Sequence, residues 1–290
     1  MANLKEVRIR IASITSTQQI TKAMKLVSAT KLRKAQNAIV QMRPYAQKLN
    51  AVLGNLVDAI DVDSLKVYFD QREVKNVLVV VIASDRGLCG SFNWNVIKLA
   101  NRTVKEKYEN KKVTFMPIGK KSFEFFSRTN HSVIDTYKEA FHELNAEKGF
   151  AIGEHILQAF KSGKYDAVEV VYNQFKNAAT QILQAEQFLP INPANFAKTG
   201  SQKNDYIFEP NNVEILESLI PQILKTQIYR SLLDSFASEH GARMVAMDKA
   251  TDNAGELLKA LKVEYNRARQ AAITTEISEI VGGAAALSNG

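Results

Sequence analysis

From Leu4 onward, apolar residues recur every three or four positions. With Leu4 placed at the first core position of a heptad, the a and d sites are Leu4, Val7, Ile11, Ile14, Gln18, Thr21, Lys25, Ser28, Leu32, Ala35, Ile39, Met42, Ala46, Leu49, Leu53, Leu56 and Ile60. A 3.5-residue period makes a seam that a second helix must cover, so residues 1–62 are expected to form a coiled-coil helix of roughly 80 Å. The ladder turns polar from Gln18 to Ser28. There Ile20, Met24 and Val27 carry the apolar character instead, as though that face met a different surface. Pro44 should bend the helix, because it removes a hydrogen bond and crowds the preceding turn.

A second helical pattern fills residues 212–290, through Leu216, Ile220, Ile223, Leu232, Phe236, Met247, Ala254, Leu258, Leu261, Tyr265, Ala268 and Ala272. Pro221 should kink or delay it, while Gly241 and Gly255 soften it without stopping it. Two helices of such length at opposite ends of one chain pair most simply as an antiparallel coiled coil.

The middle, residues 74–190, has another grammar. Val77–Ala83 is an uninterrupted apolar run, as in a strand buried on both faces. Helix Phe92–Tyr108, strand Val113–Ile118, helix Lys120–Arg128, a short strand Val133–Asp135, helix Ala146–Lys161 and strands Ala167–Tyr172 and Gln181–Phe188 follow. Strands alternating with helices predict βαβ units, hence a Rossmann-like α/β domain with a mainly parallel five-stranded sheet. Its last two strands are close enough for a hairpin about Asn177. Residues 191–211, with two prolines, Gly200 and many polar positions, read as a linker.

Composition narrows the function. With 46% hydrophobic and 23% charged residues, the chain belongs with globular proteins. Its lone cysteine, Cys89, excludes an internal disulfide and a cysteine-based metal cluster. No stretch has the roughly 20 apolar residues that cross a bilayer. The N-terminus lacks the apolar core of a secretory signal, and the helical pattern running on from Leu4 reads as mature structure rather than a presequence. Residues 1–57 hold ten lysines and arginines against the single acid Glu6, so the whole positive excess of the chain, +8, sits there. Such concentration argues for an acidic partner, the alternative being a solvated basic face.

Ser84-Asp-Arg-Gly-Leu-Cys-Gly-Ser91 follows a buried strand and precedes a helix, where α/β domains often bind phosphate. It has neither the G-x-G-x-x-G nor the G-x-x-x-x-G-K-[ST] pattern, so a structural turn and a nucleotide loop both stand as readings. His131, His142, His155 and His240 have no metal-site spacing, and Cys89 reads as a packed thiol. The acids form no recognisable acid/base pair. No catalytic residue, cofactor or metal is expected. The cations of the first helix wrap around it, and Tyr45 is its one aromatic, a pattern unlike the one-sided stripe that tracks nucleic acid.

Several segments resemble the gamma subunits of F-type ATP synthases, of the bacterial type. They are Ile11-Ala-Ser-Ile and Thr17 through Met24 to Ala35, the Asp85–Gly90 loop, Glu239–Met247, Ala250-Thr-Asp-Asn-Ala254, and Tyr265 through Glu276 to Ala286. The last stretch fits that family's pattern [IV]-T-x-E-x-x-[DE]-x-x-x-G-A-x-[SAKR]. The resemblance implies a non-catalytic rotor, the central stalk that couples ion-driven rotation of a c-ring to conformational change at three alpha and three beta subunits. A Rossmann-like nucleotide-binding protein with coiled-coil arms is the alternative.

By the same resemblance, Lys22, Met24 and Lys25 would touch acidic loops of the catalytic subunits. Arg243, Arg269, Gln270, Thr274 and Glu276 would form a polar catch. Gly282, Gly283, Ala284, Ala285, Ala286 and Leu287 would form a bearing tip. Tyr206, Phe208 and Glu209 would meet the c-ring, Phe208 standing where the family more often has tyrosine, and the α/β domain would hold the epsilon subunit. The implied location is the cytoplasmic side of a bacterial inner membrane, reached only through the c-ring, with no nucleic-acid partner.

Overall fold

The computed structural model describes residues 4–56, 67–69, 72–142, 144–191 and 212–288. In chain order the elements are α1 (Leu4–Leu56), β1 (Asn76–Ile82), α2 (Phe92–Lys107), β2 (Lys112–Ile118), α3 (Lys120–Phe126), β3 (Ser132–Val133), α4 (Ala146–Lys161), β4 (Ala167–Phe175), β5 (Gln181–Leu189) and α5 (Asn212–Ser288). Helix α1 runs through Pro44 for 53 residues and α5 through Pro221 for 77. Neither proline ends its helix, and α5 starts before Pro221 rather than being delayed by it. The chain divides into two compact units, residues 1–27 with 244–290, and residues 28–243.

The first unit is an antiparallel helix pair. On α1 the covered positions include Leu4, Val7, Ile11, Ile14, Gln18, Thr21 and Lys25, with Thr15 and Met24 beside them; on α5 they include Met247, Thr251, Ala254, Leu258, Leu261, Tyr265 and Ala268. Steps of three and four residues give the 3.5-residue period of a coiled-coil seam. The polar stretch therefore stays in the seam, and its groups satisfy one another. Gln18 Nε2 donates to the Thr251 carbonyl at 3.4 Å, the hydroxyls of Thr21 and Thr251 meet at 2.8 Å, and Lys25 pairs with Asp248. Apolar side chains that fall off the ladder face outward: Ile20 is 59% and Val27 57% exposed.

The second unit is built on a sheet ordered β3-β2-β1-β4-β5. The β1–β2, β1–β4 and β2–β3 pairs are parallel, and β4–β5 is an antiparallel hairpin. Its turn is fixed by Asn177 Oδ1, which accepts from the N–H groups of Ala179 and Thr180 at 3.0 and 2.7 Å. Alternation along the central strand sorts the core onto two faces. Val77, Val79 and Val81 pack with Val96, Ala100 and Phe126 of α2 and α3. Leu78, Val80 and Ile82 pack with Ile152 and Ile156 of α4 and with Leu216–Leu232 of α5. Every residue from Val77 to Ile82 is at most 1% exposed, which explains why β1 is apolar throughout.

The first part of α5 is thus a structural layer of this unit. Gly149 and Gly153, one turn apart on α4, allow its close approach: a Cβ at Gly153 would sit 3.0 Å from the Lys225 backbone, and one at Gly149 would overlap the Tyr229 ring.

Candidate functional site

The loop that follows β1 begins at Ser84, which is fully buried. Its Oγ lies 2.6 Å from the Arg86 carbonyl and 2.9 Å from Asn93 Oδ1, and the same Asn93 oxygen accepts the Ser84 N–H at 2.9 Å. Asn93 Nδ2 reaches Cys89 Sγ at 3.2 Å. Burial pushes the Cys89 thiol above its ordinary range, so it stays protonated and a poor nucleophile. These groups are used within the loop itself. Leu88, at the tip, has φ of +61° and its side chain is 64% exposed.

Arg243 of α5 closes the loop from the other side. Its Nη2 donates to the carbonyls of Arg86 and Gly87 at 3.0 and 3.2 Å, and Nε reaches the Gly87 carbonyl at 3.3 Å. Nη1 pairs with Glu239 Oε1 at 2.6 Å, both side chains being only 7% exposed. The same Nη1 lies 3.2 Å from His240 Nδ1. A guanidinium cannot accept, so His240 Nδ1 is the acceptor and the ring proton sits on Nε2. Burial, with the positive charges of Arg243 and Lys31, holds His240 down to about 3, hence neutral. Burial raises the Glu239 carboxyl, against the pull of Arg243.

Chemically this is a clamp. The Nδ1 lone pair of the neutral imidazole is taken by Arg243, the thiol is protonated and the carboxylate is paired, so these groups offer no free nucleophile or general base. What they do is fix the backbone of residues 86–87 to α5. Among the described residues, no group of three or more histidines, cysteines, aspartates or glutamates could hold a metal ion.

The residues singled out from the sequence fall on α1, in the clamp and along the end of α5, with three more outside the described residues. Lys22 is exposed, while Met24 and Lys25 are half-buried in the helix pair. Arg243 is in the clamp. Arg269, Gln270, Thr274 and Glu276 are all exposed on α5, where Thr274 Oγ1 donates only to the Gln270 carbonyl one turn back, at 2.9 Å. Gly282 and Gly283 have open space around them and Ala284 is exposed. Ala285, Ala286 and Leu287 continue the helix, their side chains outside what is described. Tyr206, Phe208 and Glu209 lie outside the described residues. Sequence reasoning passed over Glu239 and His240 as partners of Arg243, although their spacing, four and three residues before it, places all three on one helical face.

The seam of the first unit ends at Ala268, and every residue from Arg269 to Ala284 is exposed. The antiparallel register set by Lys25–Asp248 and Gln18–Thr251 brings the start of α1 level with about residue 268, which is why the pairing stops there. Beyond it Ile273, Ile277, Ile280 and Val281 are 47–66% exposed at one-face helical spacing.

These features have close counterparts. A family model described as ATP synthase matches residues 3–287. The ATP synthase gamma chain of Cytophaga hutchinsonii is 54% identical over all of both chains, and that of Flavobacterium johnsoniae is 56% identical over 99% of each. Among solved structures, the central stalk and c-ring of the Tetrahymena thermophila mitochondrial ATP synthase contains a chain that is similar with a TM-score of 0.58. The two are 26% identical over 80% of this chain and 99% of that one. A chain of the Euglena gracilis mitochondrial enzyme shares the fold at a TM-score of 0.64, 22% identical over 98% of this chain and 94% of that one. The chain belongs to the ATP synthase family and, within it, to the gamma chains of the central stalk.

Proposed function

We propose that this chain turns as the shaft of a bacterial ATP synthase and transmits rotation to the catalytic subunits without itself making or breaking a bond. The observation that carries this reading is the unpaired end of α5. Sixteen consecutive residues, 269–284, without cover among the described residues, bear an apolar stripe and the polar residues Arg269, Gln270, Thr274 and Glu276. A face of that kind calls for a surrounding surface. Alpha and beta subunits, three of each, would supply it: the polar residues as a catch, and residues 282–287 as a tip turning in an apolar sleeve. Lys22, Met24 and Lys25 would meet acidic loops of the same subunits, in keeping with the basic excess of α1.

Because one asymmetric shaft touches three equivalent partners differently, its rotation would shift each site's conformational population in turn. Tyr206, Phe208 and Glu209 would form the foot on the c-ring, and the α/β unit would hold the epsilon subunit. The complex would sit on the cytoplasmic side of the inner membrane, with this chain reaching it only through the c-ring.

Co-expression with the alpha and beta subunits of the same organism tests this, with ATP hydrolysis assayed for the full chain and for a chain lacking residues 269–290. The expected result is a complex of three alpha, three beta and one gamma chain whose activity depends on the chain and falls on truncation. Failure to assemble, or hydrolysis indifferent to the chain, would overturn the reading.

A further inference from the structure

A concave pocket of about 710 Å³ lies within the second unit, where α1, the end of β4 and α5 converge. Its volume falls in the range of small-molecule sites, roughly 300–1,000 Å³. Three cations line it, one from each element: Arg43 of α1, Lys176 just past β4, and Arg230 of α5. The single acid is Asp234, 8% exposed, which faces Arg230 Nε across one helical turn at 3.9 Å. Asp234 also feels the charge of Arg43 and of the nearby Glu186, so three cations stand against two carboxylates and the pocket keeps a positive excess. Ile39 and Phe175 add an apolar wall beside the charges.

We propose that this pocket binds a phosphate-bearing small molecule, its phosphoryl oxygens held by Arg43, Lys176 and Arg230 and its remainder resting on Ile39 and Phe175. The charge pattern carries the choice of ligand. Planar guanidinium forks match phosphate oxygens bidentately, and a lysine adds a mobile point charge. Asp234 opposes the anion, but one carboxylate buried beneath Arg230 serves to orient that guanidinium and leaves the excess of cations in place. The site shares no residue with the Ser84–Ser91 loop, with Lys22–Lys25 or with the end of α5 from Arg269. A bound anion would cross-link α1, β4 and α5, three elements far apart in sequence, and so stiffen this unit. The inference does not rest on the rotor reading.

The test uses the full chain, with inorganic pyrophosphate, ADP and adenosine as probes, and follows amide hydrogen exchange and the urea midpoint. Saturable binding of pyrophosphate or ADP, with slowed exchange in peptides covering 36–43 and 230–234 and a raised midpoint, is expected. ADP binding at least tenfold more tightly than pyrophosphate would identify a nucleotide as the natural source of the phosphate; equal affinities would identify the inorganic anion. The Arg43→Gln, Lys176→Gln variant, altered only at exposed positions, should weaken binding at least tenfold while keeping the parent's midpoint without ligand. No binding at millimolar probe, binding equal for adenosine, or binding unchanged in the variant would each overturn the proposal.

Discussion

Arg243 shows how much one side chain can organise and how little of that a sequence displays. Its guanidinium satisfies two carbonyls lying 156 and 157 residues earlier in the chain, together with a buried carboxylate. Removing one partner of such a buried pair costs roughly 3–5 kcal/mol, since the other charge stays desolvated. The family resemblance pointed to Arg243 as a partner contact, and only the fold brings Arg86 and Gly87 to it. His240, beside it, gives the clamp a pH dependence. Its folded-state value of about 3 lies below the ordinary 6.5, so the folded form resists a proton that the unfolded chain accepts. The stability it contributes is therefore complete above about pH 6.5 and is lost as pH falls from there toward about 3. Between about pH 7 and pH 5 the loss is roughly 2 kcal/mol. Asp234, raised to about 6 by burial, works in the opposite sense over the same interval, its penalty being relieved as pH falls. The readout is accordingly a difference. His240→Gln keeps an acceptor for Arg243 but removes the titration, and its urea midpoint should fall less than the parent's on acidification. Equal falls in the two proteins would show that folding leaves the proton affinity of His240 unchanged.

The elements were more legible than the residues. The heptad ladder read from Leu4 coincides with the covered face of α1, because a 3.5-residue period has one geometric consequence whatever occupies it. Gln18, Thr21 and Lys25 looked like an interruption because hydropathy counts polar groups as exposed; in the structure they are partnered across the seam. Each hydroxyl also reaches a carbonyl of its own helix, Thr21 that of Gln18 at 3.0 Å and Thr251 that of Met247 at 2.7 Å, so losing one threonine costs the other its bond across the seam, about 0.5–1.5 kcal/mol. Thr21→Val and Thr251→Val should therefore each destabilise the helix pair, and the double variant should recover most of the loss. A thermodynamic cycle on urea unfolding should give a coupling of about 1 kcal/mol; strictly additive effects would mean that the hydroxyls do not depend on each other.

Strand β1 was legible from its apolar run. The depth of α5 in the sheet layer was not, because Ser231, Ser235 and Ser238 are buried polar positions that a hydropathy pattern assigns to solvent. Each hydrogen-bonds to a carbonyl instead, of Gln227, Ile82 and Asn173 respectively.

At the scale of the whole molecule, buried and exposed surface are carried by different stretches of the same helix. Up to Ala268, α5 contributes buried side chains, such as Leu258 at 9% and Leu261 at 4% exposure. From Arg269 to Ala284 it contributes none. Truncating a buried leucine to alanine removes transfer energy and leaves a cavity, costing about 2–5 kcal/mol, whereas deleting a segment whose described residues, 269–284, are all exposed should cost the fold almost nothing, within about 0.5 kcal/mol. Leu261→Ala is therefore expected to lower the urea midpoint of the full chain markedly, and deletion of residues 269–290 to leave it in place. In the assembled complex the order should reverse: if the segment's contacts are made with other subunits, as proposed, the deletion will impair coupled hydrolysis more than Leu261→Ala does. A deletion that lowered the midpoint of the chain alone as far as Leu261→Ala would mean that this end folds back on its own chain. The apolar stripe of Ile273, Ile277, Ile280 and Val281 would then be core, leaving the shaft without a surface to present.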